Sequence, residues 1–176
     1  MKFSATNIPG VWIVEVTSSQ DERGLFARTF CADTFSQHGL VSQFPQCNSS
    51  WNAKKGTLRG MHYQDMPHPE IKLVRCTKGR VFDVVVDLRA DAPTHRKWVG
   101  VELDANRRNA VYIPEGCAHG FLTLEDDCEV FYHMGERYVP ELARGVRWND
   151  PAFQIEWPMH PALISERDAS LPDYVS

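Results

Sequence analysis

Short runs of β-branched and aromatic residues recur along the chain, separated by polar turn signals. VWIVEVTS (11–18) and GLFARTF (24–30) flank the polar turn QDER. KLVRC (72–76) and VFDVVVDL (81–88) flank TKGR, which reads as a hairpin. KWVGVEL (97–103), AVYIP (110–114), HGFLTL (119–124) and CEVFYHM (128–134) follow at similar spacing. Many short strands at such intervals predict an all-β sandwich or barrel. VFDVVVDL is apolar at successive positions, so it is expected as an inner strand covered on both faces. The helical candidate is short, Asp33 to His38, stopped by Gly39. The Pro-rich tail from Trp157 onward reads as a strap over the domain. The expected architecture is a jelly-roll β-sandwich with one or two short helices and a pocket at one end of its interior.

Length and composition narrow the setting. The 176 residues fit one domain, 1–176, with a sizeable core. A hydrophobic share of 43% against 24% charged residues is that of a soluble globular protein. A net charge of −4 gives no reason to expect nucleic acid or an anionic membrane as partner. MKFSATNIPG lacks an apolar signal core, and no apolar run reaches membrane-spanning length. Cys31, Cys47, Cys76, Cys117 and Cys128 are scattered and form no CxxC pair, which favours reduced thiols in a cytoplasm.

The chemistry concentrates around LRGMHYQ (58–64), which sets Arg59, His62, Tyr63 and Gln64 together just ahead of a strand. Lys72 is followed at Gly79 by the end of an x6-G spacing, and IPEGCAH supplies Pro114, Gly116 and His119 as P-x-G-x-x-H. These residues resemble the two motifs of the cupin superfamily, whose metal-binding members carry H-x-H…E-x6-G and a further His. Here Gln64 replaces one His, and Lys72 stands in place of the Glu. An ammonium at a ligand position repels a cation and stabilises an anion, so no metal and no cofactor is expected. A base, a nearby cation and no metal suit proton abstraction α to a ketone, with the enolate oxygen beside Lys72. His62 is the candidate base, and Tyr132 in VFYH the candidate acid, facing the same way as Val130 by strand alternation.

LRGMHYQ, KLVRCTKGRVFDVVVDLR, KWVGVEL, YIPEGCAHGF, RGVRWNDP and ISERD together resemble the dTDP-4-dehydrorhamnose 3,5-epimerase family, from about Asp21 to Asp168. The resemblance implies a metal-free jelly-roll homodimer with shared sites, acting on a nucleotide-linked 4-keto-6-deoxy sugar. It implies His62 as base with Asp168 of SERD as its orienting partner, Tyr132 as acid on the opposite face, and Lys72 beside the keto oxygen. It further implies that Arg59 and His119 contact the diphosphate or sugar, and that Gln46, Asn48 and Tyr138 make polar substrate contacts. Arg23 and Phe26 would extend into the neighbouring subunit's site.

Alternatives remain at several positions. Asp83, inside VFDVVVD, competes with Asp168 because a buried Asp needs a partner, and it would bond His62 or Arg59. Arg28 stands where the family commonly has a Glu that accepts from thymine N3–H. A donor-only side chain there disfavours thymine and would suit cytosine, unless Arg28 turns outward or grips phosphate. His133 stands where the family often has Lys. Inversion at C3 alone would use the same residues as inversion at C3 and C5. The competing functions are a metal-dependent cupin enzyme and a non-catalytic sugar-nucleotide binder.

Overall fold

The structure is a computed structural model and describes residues 1–175. Its strands are β1 (Lys2–Ala5), β2 (Trp12–Glu15), β3 (Ser18–Asp21), β4 (Gly24–Ala27), β5 (Gln46–Asn52), β6 (Thr57–Gln64) and β7 (Lys72–Lys78). They continue as β8 (Arg80–Asp87), β9 (Trp98–Asp104), β10 (Ala110–Ile113), β11 (Cys117–Thr123), β12 (Cys128–Met134), β13 (Ala143–Gly145) and β14 (Leu163–Ile164). Two short helices accompany them, α1 (Ala32–Gln37) and α2 (Glu166–Ala169).

One sheet runs β1-β2-β10-β7-β12-β5 and the other β13-β6-β11-β8-β9, with β14 pairing β6 in parallel; β3 and β4 form a separate ribbon. The alternating inward positions of both sheets build the core. Val74, Cys76, Val111, Ile113 and Val130 meet Val81, Val85, Val101, Leu103 and Phe121 in one buried cluster. A pleat sends alternate side chains to opposite faces, so the same inward rows also carry Lys72, Asp83, His119 and Tyr132. The inner faces are therefore apolar along most of their length and polar at one end.

Three expectations change. TKGR does not close a hairpin: β7 pairs with β10 and β12, whereas β8 pairs with β11 and β9. The chain crosses between sheets at Gly79, whose φ of 74° is left-handed and whose added Cβ would lie 2.7 Å from Cys128 Sγ. LRGMHYQ does not precede a strand but is most of β6 itself, second in its sheet. QDER is not all turn either, because Gln20 and Asp21 belong to β3, which pairs with β4. VFDVVVDL lies as expected between two neighbours, with Val81 and Val85 in one apolar cluster and Val84 and Val86 in another. The tail does strap the domain, since Leu163 and Ile164 pair with Thr57 and Leu58. Trp157 and Tyr174 pack on the outer cluster around Val84 and Phe153.

Candidate active site

One cavity at the polar end is lined by side chains from both sheets. Arg59, His62, His119 and Phe121 come from one wall; Asn48, Ser50, Lys72, Tyr132 and Met134 come from the other.

The centre of the first wall is a His–Asp pair. His62 Nε2 lies 2.8 Å from Asp168 Oδ1. Asp168 reaches it because β14 lays the tail beside β6 and Ser165 caps α2, its Oγ accepting from the Asp168 N–H at 3.1 Å. The second carboxylate oxygen, Oδ2, accepts from the Gly60 N–H at 3.1 Å. Gly60 is required there: its φ is 137°, and an added Cβ would lie 2.4 Å from Gly120 Cα. Burial alone would raise the Asp168 carboxyl, but the bond and charge of His62 and the Gly60 N–H outweigh it and hold it below its ordinary value. An ionised carboxylate only accepts, so Nε2 of His62 carries the hydrogen and Nδ1 keeps the lone pair.

On the other wall the Tyr132 hydroxyl lies 3.2 Å from Ser50 Oγ. Burial raises its pKa well above the ordinary value, with Ser50 and the Arg59 charge opposing, so the phenol is a held proton donor. Tyr132 and His119 meet edge to face, 6.2 Å between ring centroids.

Lys72 is buried at the cavity, but it is not a free cation. Glu70 lies 2.5 Å from its Nζ, and both side chains are under a tenth exposed. Glu70 precedes β7 and is absent from the sequence-based assignments, so the pocket holds more negative charge than they imply. Gln64 is spent on structure: its Nε2 donates to the carbonyls of His68 at 2.6 Å and Arg137 at 3.0 Å, and its Oε1 accepts from Val139 N–H at 2.8 Å. Among the described residues no three His, Cys, Asp or Glu side chains are grouped to hold a metal ion.

The competition between two aspartates resolves geometrically. Asp168 meets His62, and Asp83 instead meets His119, its Oδ2 lying 3.3 Å from Nδ1. Arg59 lines the cavity with its Nε donating to Asn52 Oδ1 at 2.7 Å. Asn48 and Tyr138 also line it. Gln46 does not; it accepts from the Tyr138 N–H at 3.2 Å and so fixes that loop. Arg23, Phe26 and Arg28 lie away from this cavity. Phe26 is 75% exposed on the β3–β4 ribbon, Arg23 pairs with Asp21, and Arg28 borders a shallow depression with Ser18 and Thr34. His133 faces the opposite side of β12, packed among Phe30, Phe44 and Phe131. Ser50, Arg144 and Arg167 line the cavity unassigned by the sequence, though the first follows from alternation with Asn48.

The family profile described as dTDP-4-dehydrorhamnose 3,5-epimerase matches residues 5–175. The chain belongs to this family. A relative of that name from Shigella flexneri is 43% identical over 176 residues, spanning 99% of this chain and 97% of its own. A dTDP-4-dehydrorhamnose 3,5-epimerase from Bacillus anthracis, solved with TDP and PPi bound, matches at a TM-score of 0.95 and 35% identity, covering 98% of this chain and 99% of that one. A 3′-monoepimerase from Streptomyces bikiniensis in complex with dTDP-quinovose matches at a TM-score of 0.89 and 35% identity, over 96% and 85% of the two chains. The protein is thus a sugar-nucleotide epimerase, an isomerase, on the jelly-roll scaffold its strand pattern predicts. No helix of this epimerase, among the described residues, is long and apolar enough to cross a membrane.

Proposed function

We propose that this epimerase inverts C3, C5 or both in a dTDP-linked 4-keto-6-deoxy sugar, using its own side chains and no cofactor. The observation that carries the residue assignment is that the His62–Asp168 pair and the Tyr132 hydroxyl line one cavity from opposite sheets. Nδ1 of His62 takes the proton from the carbon next to the ketone. The C–H electron pair becomes the enolate, and Lys72 faces the oxygen on which the charge grows. Tyr132 returns a proton to the other face, which inverts the carbon. His62 then holds one extra proton and Tyr132 lacks one, and both reset by exchange with water.

Arg59, His119, Asn48 and Tyr138 hold the sugar and diphosphate in this reading. Arg23 and Phe26 complete the site of a second copy in a homodimer, which explains a largely exposed Phe on a projecting ribbon. Cytoplasmic thiol conditions fit the chain, since all five cysteines are free. Arg28 is the residue that bears on the base, and binding of dTDP against CDP decides its part. A strong dTDP preference that persists in Arg28→Glu removes any role for Arg28 in base choice.

The test of the main reading is solvent deuterium exchange into the 4-keto sugar nucleotide. We expect label at C3, C5 or both, lost by about three orders of magnitude in His62→Ala. Exchange in that variant at the wild-type rate would reassign the base. Activity abolished by a chelator and restored by a metal would favour the metal-dependent alternative.

A further inference from the structure

Asp83 projects from β8 into the interior between Val81 and Val85, which belong to the apolar core, and it is fully buried. Its Oδ2 lies 3.3 Å from Nδ1 of His119, and its Oδ1 has no hydrogen-bond partner among the described residues. An ionised carboxylate here would leave one charged oxygen without a donor in an apolar setting, which is the costly arrangement. The nearby ammonium of Lys72 does not relieve it by contact, because its ion pair is with Glu70. A neutral acid fits better: its hydroxyl has a partner in Nδ1, and the atom left over is an uncharged carbonyl oxygen.

The protonation state of Asp83 decides what His119 offers to the cavity. In a neutral imidazole one nitrogen donates and the other accepts. A carboxylate at Nδ1 would require Nδ1–H and turn a lone pair into a pocket built for an oxygen-rich anion. A carboxylic acid at Nδ1 requires the reverse. We propose that Asp83 is a neutral carboxylic acid that donates to Nδ1 of His119, so that His119 presents an Nε2–H donor to a substrate oxygen. Asp83 is a positioning residue; His119 makes the contact. Only the identity of that oxygen rests on the proposed function, since the protonation and the tautomer belong to the free protein.

The surroundings agree. Burial holds Asp83 well above the carboxylate range, against the charge of Lys72. Burial, then Lys72, then His62 hold His119 well below its ordinary value, against Glu70. Both directions favour the uncharged partners, with Arg59 on the same sheet and Tyr132 and Cys76 on the facing one the other titratable groups nearby. The other His–Asp pair is built oppositely: both oxygens of Asp168 are partnered, and it is an acceptor. Two His–Asp pairs in one cavity thus fix opposite tautomers, one a base and one a donor.

Two measurements on the intact wild-type protein test this without using activity. Nitrogen-15 NMR should find His119 protonated on Nε2 and bare on Nδ1, the ring being assigned by its absence in His119→Gln. Infrared difference spectra of wild type against Asp83→Asn, at a pH where other carboxyls are ionised, should show a carboxylic-acid C=O band present only in wild type. A bare Nε2, or no such band, overturns the proposal whether or not the protein epimerises sugars. Activity adds a rescue: Asp83→Leu should lose about a hundredfold in kcat/KM, and Asp83→Asn, whose amide N–H can also donate to Nδ1, should recover most of it. An Asn variant as poor as the Leu variant would show that a charged acceptor is needed and sink the assignment.

Discussion

Asp168 Oδ1 accepts from His62 Nε2 at 2.8 Å while Oδ2 accepts from Gly60 N–H, so one carboxylate binds both a side chain and the backbone of β6. The second bond fixes what an amide would do in its place. In Asp168→Asn the amide oxygen would stay with the Gly60 N–H and the NH2 would face His62. Nε2 would then have to accept, leaving Nδ1 protonated and useless as a base. In a serine-protease triad the equivalent change of tautomer costs about four orders of magnitude. We expect Asp168→Asn to lose about 10³-fold or more in deuterium exchange while folding normally. A loss under tenfold would show that Asp168 does not set the tautomer.

Tyr132 separates abstraction from return of the proton. Tyr132→Phe removes the hydroxyl that bonds Ser50 but keeps the ring against His119 and the core. His62 is untouched, so exchange into the substrate should continue while net inversion falls by about 10²–10⁴. Following label and stereochemistry in one reaction checks this. An equal loss of both would remove Tyr132 from the acid role.

How these residues were legible in the sequence differs from case to case. The limits of β12 match CEVFYHM because its inward row is apolar or aromatic throughout, and α1 ends where Gly39 supplies a left-handed φ of 68°. The crossing at Gly79 is not legible in the sequence for a physical reason: a glycine turn tells that the chain bends, and not which sheet receives it. Glu70 escapes the pattern because it lies in PHPE, ahead of β7, where strand alternation does not apply. The choice between Asp83 and Asp168 was open because both contacts join segments remote in sequence, and periodicity is blind to such pairings. Resemblance to the family, not strand pattern, pointed to Asp168.

Lys72 and Glu70 couple stability and rate in different ways. Each is buried beside the other, so removing one leaves an unpaired charge, at a cost of about 3–5 kcal/mol. Lys72→Met and Glu70→Gln should each destabilise by roughly that amount in urea unfolding, and the double variant should regain most of it. Its rate should stay down by about 10²–10³, because the cation that faces the enolate oxygen is gone. A double variant with restored activity would show that Lys72 serves only to neutralise Glu70.

Acid should act on the fold through three groups whose signs differ. His119 is held well below its ordinary value, so below about pH 6.5 the unfolded chain binds a proton that the folded chain refuses. Its contribution is complete above that pH and declines as pH falls toward the folded value. Asp168 is held below its ordinary value, so its contribution is complete above about pH 3.9 and is lost at still lower pH. Asp83 has the opposite sign: its raised value favours the fold below about pH 3.9 and loses that advantage as pH rises through the folded value. Below about pH 6.5 the slopes of His119 and Asp83 oppose, so urea midpoints should change little in wild type from about pH 6.5 to 5 and rise with acid in His119→Gln, where the Asp83 slope remains. An unchanged slope in the variant would show that His119 titrates alike in both states.

The exposed ribbon predicts complementation between damaged copies. Phe26 and Arg23 do not line the cavity of their own chain; they lie on the β3–β4 ribbon, which pairs with neither main sheet. If the ribbon serves the partner's cavity, a chain carrying Phe26→Asp has a sound pocket but spoils its neighbour's. A chain carrying His62→Ala has a dead pocket but a sound ribbon. Each alone should be nearly inactive. Co-expressed at equal levels, half of the dimers are mixed, and in each mixed dimer one pocket combines an intact His62 with an intact ribbon. About a quarter of all sites should then work, by the arithmetic of a two-fold dimer. Recovery to that level places Phe26 across the subunit boundary. Mixed dimers, verified by two affinity tags, that stay as inactive as their parents would confine the ribbon to a role within its own chain.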